Sequence, residues 1–165
     1  MNESYNFKGI TFDFRNKSKY SEETNALKQA FTALIPYMQV YLKDKEIILG
    51  IKNKVELANY TVHFAITSPK SEGELEKYGS VSFDHKTNEL IIVLHLIEAN
   101  SVVIKFELMK TLIHEIFHLF IEGEEKVRRE LEEFLSSFSI DERKAVLEKL
   151  LTPEEVNLLR NLKND

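Results

Sequence analysis

The chain contains no cysteine and no tryptophan, and it has only three prolines and five single glycines. Without cysteine there is neither a disulfide nor a thiolate, so any metal must be held by His, Asp or Glu. Glycines scattered one at a time leave no glycine-rich loop to cradle phosphate. An excess of positive charge is also missing, since 22 Lys and Arg stand against 27 Asp and Glu for a net charge of -5. Phosphate backbones and anionic lipid surfaces call for clustered cations, so neither nucleic acid nor a membrane surface is expected as a partner. No apolar run approaches the roughly 20 residues that cross a bilayer. The first twenty residues lack the basic patch and apolar core of a signal peptide. The expected setting is cytoplasmic.

What is present is the composition of a folded protein, with 43% hydrophobic and 30% charged residues in 165. That length supports one hydrophobic core, and residues 1–165 are expected to form a single domain. Residues 5–14 alternate apolar with polar and suggest a first strand. From Ser21 the pattern turns helical, with a capping box at the start and Pro36 as a site for a kink. Three further stretches, KEIILGIKNKV, NYTVHFAITSP and GSVSFDHKTNELIIVLHL, are rich in β-branched and aromatic residues. They suggest three or four strands, with a hairpin turn at DHKTNE. These spacings predict a mostly antiparallel sheet over residues 46–96.

Beyond Asn100 a long helix is expected, with Ser101 as its cap and Gly123 as its stop. A second helix turns back on it, carrying Val127, Leu131, Phe134, Leu135 and Phe138 on one side. Ser139 with Glu142, and Thr152 with Pro153 and Glu155, mark two more helix starts, so residues 139–165 are a helical extension. The fold class expected is therefore α+β, a mostly antiparallel sheet packed on one long helix, with helices at the C-terminus.

Chemistry concentrates in TLIHEIFHLFIEGEE, residues 111–125. On a helix His114 and His118 are i and i+4, so both imidazoles leave one face and can reach one ion. Zinc suits imidazole nitrogen and carboxylate oxygen, and three protein ligands leave a position for water. Such an ion lowers the pKa of its water toward about 7. Glu115, about 100° round the helix from His114, is placed to take that water's proton for attack on a peptide carbonyl. A solvated stripe of Glu107, Lys110, Thr111, His114, Glu115, His118 and Glu122 would look similar in sequence.

The motif resembles the active-site helix of zincin metallopeptidases, and the short turn into a Glu-rich helix is similar to the minimal gluzincins of ImmA/IrrE type and their phage relatives. The resemblance covers roughly residues 80–138. It implies a zincin-like fold, a zinc ion and cleavage of a peptide or protein substrate laid along the strand ELIIVLHL. The metzincin continuation is absent, because Ile121 stands where its glycine would be and no histidine follows His118. A third ligand is therefore acidic or comes from earlier in the chain. Glu124, just past Gly123, could swing back toward the ion. Glu130, farther along the second helix, could come level with His118. Glu133, or no third protein ligand at all, is a lesser alternative, and Glu122, Glu125 and Glu132 point elsewhere. His63 and His95 are expected to be ordinary strand histidines, although His95, Tyr78 and His85 could each donate to a transition state. Arg128 and Arg129 are expected to pair with nearby Glu on an exposed face. Two other readings stay open: a binding or regulatory module on the same fold, and a metal-free structural domain.

Overall fold

The computed structural model describes residues 4–7, 10–14, 20–45, 61–67, 79–84, 86–87, 89–95 and 101–163. In chain order these form β1 (Ser4–Phe7), β2 (Ile10–Phe14), α1 (Ser21–Asp44), β3 (Thr61–Thr67), β4 (Gly79–Asp84) and β5 (Glu89–His95). Four further helices follow, α2 (Ser101–Phe120), α3 (Glu124–Ser136), α4 (Ile140–Leu150) and α5 (Pro153–Lys163). The expected strand within residues 45–55 falls almost entirely outside the described residues, as do Tyr78 and His85.

The sheet corrects the expected zincin-like, mostly antiparallel α+β fold. Its order is β1-β2-β3-β5-β4, and the three central strands, β2, β3 and β5, run parallel. Antiparallel pairing is confined to the edges, β1 with β2 and β4 with β5. Helices also hold more than twice as many described residues as strands. For β2 and β3 the physical reason lies in α1, whose 24 residues carry the chain from the end of β2 back across the sheet. Such a crossover returns the next strand in the same direction, whereas a tight turn would reverse it. The stretch 5–14, expected as one strand, is instead a hairpin in which Phe7 pairs with Ile10.

Alternation along the strands gives the sheet one apolar face. Phe12, Phe14, Val62, Phe64, Ile66, Leu90, Ile92 and Leu94 are buried in a single core with α1 and α2. Phe12, Phe14, Phe31 and Phe64 join β2, α1 and β3, with ring centroids 4.8 to 5.8 Å apart. Such pairs add about 0.5–1.5 kcal/mol beyond their burial. A second aromatic group, Tyr41, Phe117, Phe134 and Phe138, ties α1 and α2 to α3.

Helix α1 begins with Tyr20 at its cap position and no side-chain cap, so Ser21 lies inside the helix and does not cap it. It continues through Pro36. The starts of the last two helices follow the expected chemistry. Ser139 and Glu142 form a reciprocal capping box, as do Thr152 and Glu155. Among the described residues no helix is long and apolar enough to cross a membrane.

Candidate metal centre

Leu112, Ile113, Ile116 and Phe117 are fully buried, and they fix the rotation of α2 against the core. That rotation brings His114 and His118 to the rim, half-buried, with ring centroids 4.6 Å apart and planes at 88°. The chain then leaves α2 and turns at Gly123, whose φ of 97° lies in the region that side chains rarely adopt. Buried Val127 anchors α3 one turn later. The turn and the anchor together place Glu124, the first residue of α3, over the two imidazoles.

Glu124 Oε1 lies 2.9 Å from His114 Nε2, and its Oε2 lies 2.7 Å from His118 Nε2. His114, His118 and Glu124 form the one group of this kind among the described residues, with ligand atoms all within 4.8 Å of one another. Ligands of a tetrahedral zinc stand about 3.3 Å apart, and each Glu124 oxygen lies within about half an ångström of that spacing from its histidine nitrogen. Two nitrogens and one carboxylate oxygen match the donor set zinc prefers, with a fourth position left for water. Arg128 Nε donates to Glu124 Oε1 at 3.0 Å and steadies the carboxylate. The i,i+4 spacing shows that pair in the sequence, but only the turn reveals that Arg128's partner is the carboxylate facing the histidines.

Glu115 is 8% exposed, and its Oε1 stands 3.4 Å from His114 Nδ1. A carboxylate on Nδ1 holds the ring tautomer that leaves Nε2 free for a metal. The Glu115 hydrogen bond is the main influence raising the His114 pKa above its usual value. Burial works against it, and Glu124 adds to it. Burial would raise the Glu124 carboxyl, but the His114 hydrogen bond and the two imidazole charges bring it below the usual carboxylate range. A metal binding here displaces a proton.

Glu130 lies elsewhere. It is 4% exposed on the face of α3 that meets α1, where the Tyr41 hydroxyl donates to its Oε2. Lys45 Nζ is 3.9 Å from Glu130 Oε2, and Arg129 Nε is 3.8 Å from its Oε1. Glu133 accepts from Lys45 Nζ at 2.7 Å. Burial, followed by the nearby Glu130 carboxylate, pushes the Tyr41 hydroxyl well above its ordinary value. Tyr41→Phe removes one of the donors to a buried carboxylate and is expected to cost about 1–3 kcal/mol, read from urea unfolding midpoints. Equal midpoints in the two proteins would deny this network a stabilising role.

Of the remaining histidines, only the His63 side chain is among the described residues, and it is held away from this centre by other partners. His63 lies on the sheet face opposite the helices, where Nδ1 pairs with Asp13 and Nε2 is 3.5 Å from Glu89. Alternation in the sequence shares Asp13 and His63 between one face each of two strands, but only the parallel register of β2 and β3 makes them neighbours. His95 ends β5, and its side chain is outside the described residues. No protein-family model, curated protein or solved structure matches the chain.

Proposed function

We propose that the chain is a zinc-dependent peptidase whose metal is held by His114, His118 and Glu124, acting in the cytoplasm on a peptide or protein substrate. The observation that carries this reading is the Glu124 carboxylate bridging two Nε2 atoms one turn apart, with a buried glutamate beside them. Zinc bound there supplies Lewis-acid polarisation of a carbonyl and a water of lowered pKa. The chain's own residues do the rest. His114 and His118 would hold the metal, Glu124 would contribute charge, and Arg128 holds Glu124 in place. Glu115 would take the proton of the attacking water, its carboxylate turning away from His114 Nδ1 to do so.

Glu115→Gln keeps the size of the side chain and removes the base. We expect it to lower peptide hydrolysis by at least about a hundredfold, with zinc still bound one to one. The measurement pairs cleavage of quenched fluorescent peptides with metal analysis of the same samples.

The contact between Glu115 and His114 Nδ1 favours a second reading, a metal-binding module that does not hydrolyse. There Glu115 only orients His114, and Glu115→Gln would weaken zinc about 10- to 100-fold while leaving cellular function dependent on metal alone. Wild-type protein that binds zinc but cleaves no peptide would select this reading over the first.

A further inference from the structure

Away from the metal centre, α4 is flanked on both sides by apolar grooves. One holds about 300 Å³ between α1, α2, the end of α3 and α4, with Leu34, Phe106, Met109, Phe138 and Val146 in its wall. The other holds about 290 Å³ between α4 and α5, with Ile140, Val156 and Leu159. Arg143 and Leu147 line both, so the two are halves of one surface. Ile140, which lines the second groove, is 84% exposed, a degree of exposure that marks an interaction face when it adjoins grooves.

Charge distinguishes this surface from the rest of the chain. The charged residues lining the two grooves among the described residues are Lys110, Arg143, Lys144 and Arg160 against Glu148 alone, in a protein whose net charge is -5. Lys110 has a loose partner in Glu107 at 3.6 Å, and an Arg143 Nη2 reaches the Leu135 carbonyl at 3.5 Å. Both contacts are exposed and weak, which leaves the cations able to attract a ligand.

From this we propose that the grooves around α4 bind an acidic, amphipathic helical segment of a partner protein. Apolar side chains at i, i+3, i+4 and i+7 would fill the grooves, and carboxylates beside them would meet the four cations. The predominantly apolar walls suit leucine-like side chains better than a sugar-phosphate backbone. Lys110 is one helical turn before His114, so a segment held here runs beside the metal centre. The grooves and their cations are present independently of zinc at that centre.

The test is fluorescence anisotropy on the full chain, with and without zinc. Its probe is a short labelled helical peptide carrying leucine on one stripe and glutamate elsewhere. The acidic probe is expected to bind at micromolar concentration, and its lysine-for-glutamate counterpart at least about tenfold more weakly. Arg143→Glu and Lys110→Glu should each weaken the acidic probe about tenfold, and Arg143→Lys should retain it, with melting temperatures confirming that each variant folds. Equal affinity for the two peptides, or no binding at millimolar peptide, would overturn the proposal. So would displacement of the probe by an oligonucleotide, or self-association of wild type abolished by Arg143→Glu, which would give the surface to a different occupant.

Discussion

Zinc is expected to stabilise the wild-type protein, and Glu124→Ala is expected to abolish that stabilisation. A ligand present at about a hundred times its Kd raises stability by about 2.7 kcal/mol. For a domain of this size that is a melting shift of roughly 5–10 °C. Removing the single carboxylate that faces both imidazoles should weaken zinc by more than about a hundredfold, since even residues that only orient a ligand contribute 10- to 100-fold. The added zinc then has almost nothing to stabilise. Glu130→Ala behaves in the opposite way: its metal-free form melts lower, because the Tyr41 hydroxyl loses its acceptor, yet zinc still shifts it upward. Differential scanning fluorimetry of both variants, with and without zinc, reads the contrast directly.

The second large effect belongs to a buried ion pair outside the candidate metal centre. Lys105 on α2 is 3% exposed, and Glu155 at the start of α5 is 6% exposed. Lys105 Nζ donates to Glu155 Oε1 at 2.7 Å. The same oxygen accepts the Thr152 backbone N–H at 2.9 Å, while exposed Glu22 of α1 stands 3.5 Å from Lys105. Lys105→Met strands a carboxylate in the interior, and breaking a buried pair in that way costs about 3–5 kcal/mol. The expected fall in melting temperature is roughly 10 °C. Lys105→Met combined with Glu155→Leu should recover part of it, because no charge is left unpaired, though the cap on Thr152 is still lost. A Lys105→Met protein as stable as wild type would remove the pair from the account.

This pair also gives acid sensitivity a definite sign. Burial alone would raise the Glu155 carboxyl. The hydrogen bonds from Lys105, the Thr152 N–H and Ser101, together with the Lys105 charge, outweigh burial and lower it from an ordinary 4.5 to about 2. The folded state therefore holds the ionised form more tightly than the unfolded chain does. Its contribution is complete above about pH 4.5 and is lost as the pH falls toward 2. Wild type should lose stability across that window more steeply than Glu155→Gln.

The features that could be read from sequence were those set by local spacing. His114 and His118 share a helix face because α2 has no break between them, and the two C-terminal capping boxes stand where Ser139 and Thr152 put them. The DHKTNE turn correctly joins an antiparallel pair, β4 and β5. The expected mostly antiparallel sheet does not follow from that turn, because the three central strands run parallel. Alternating strands look alike whether parallel or antiparallel, and the direction is decided by the α1 crossover and by long-range pairing such as His63 with Asp13. The choice between Glu124 and Glu130 was similarly hidden. Both stand on the helix after Gly123, and what separates them is the positive φ at that glycine and the rotation of α3 set by Val127 and Phe134. Glu130 also has a partner 89 residues away in Tyr41, which no periodicity within α3 could indicate.

X-ray absorption at the zinc edge of the reconstituted full chain tests the central claim most directly. The account predicts two imidazole nitrogens near 2.0 Å and a carboxylate oxygen at about 2.0–2.2 Å, with the imidazole scattering halved in His118→Ala. A wild-type spectrum with no imidazole scattering, or one unchanged by His118→Ala, would contradict a centre built from His114, His118 and Glu124.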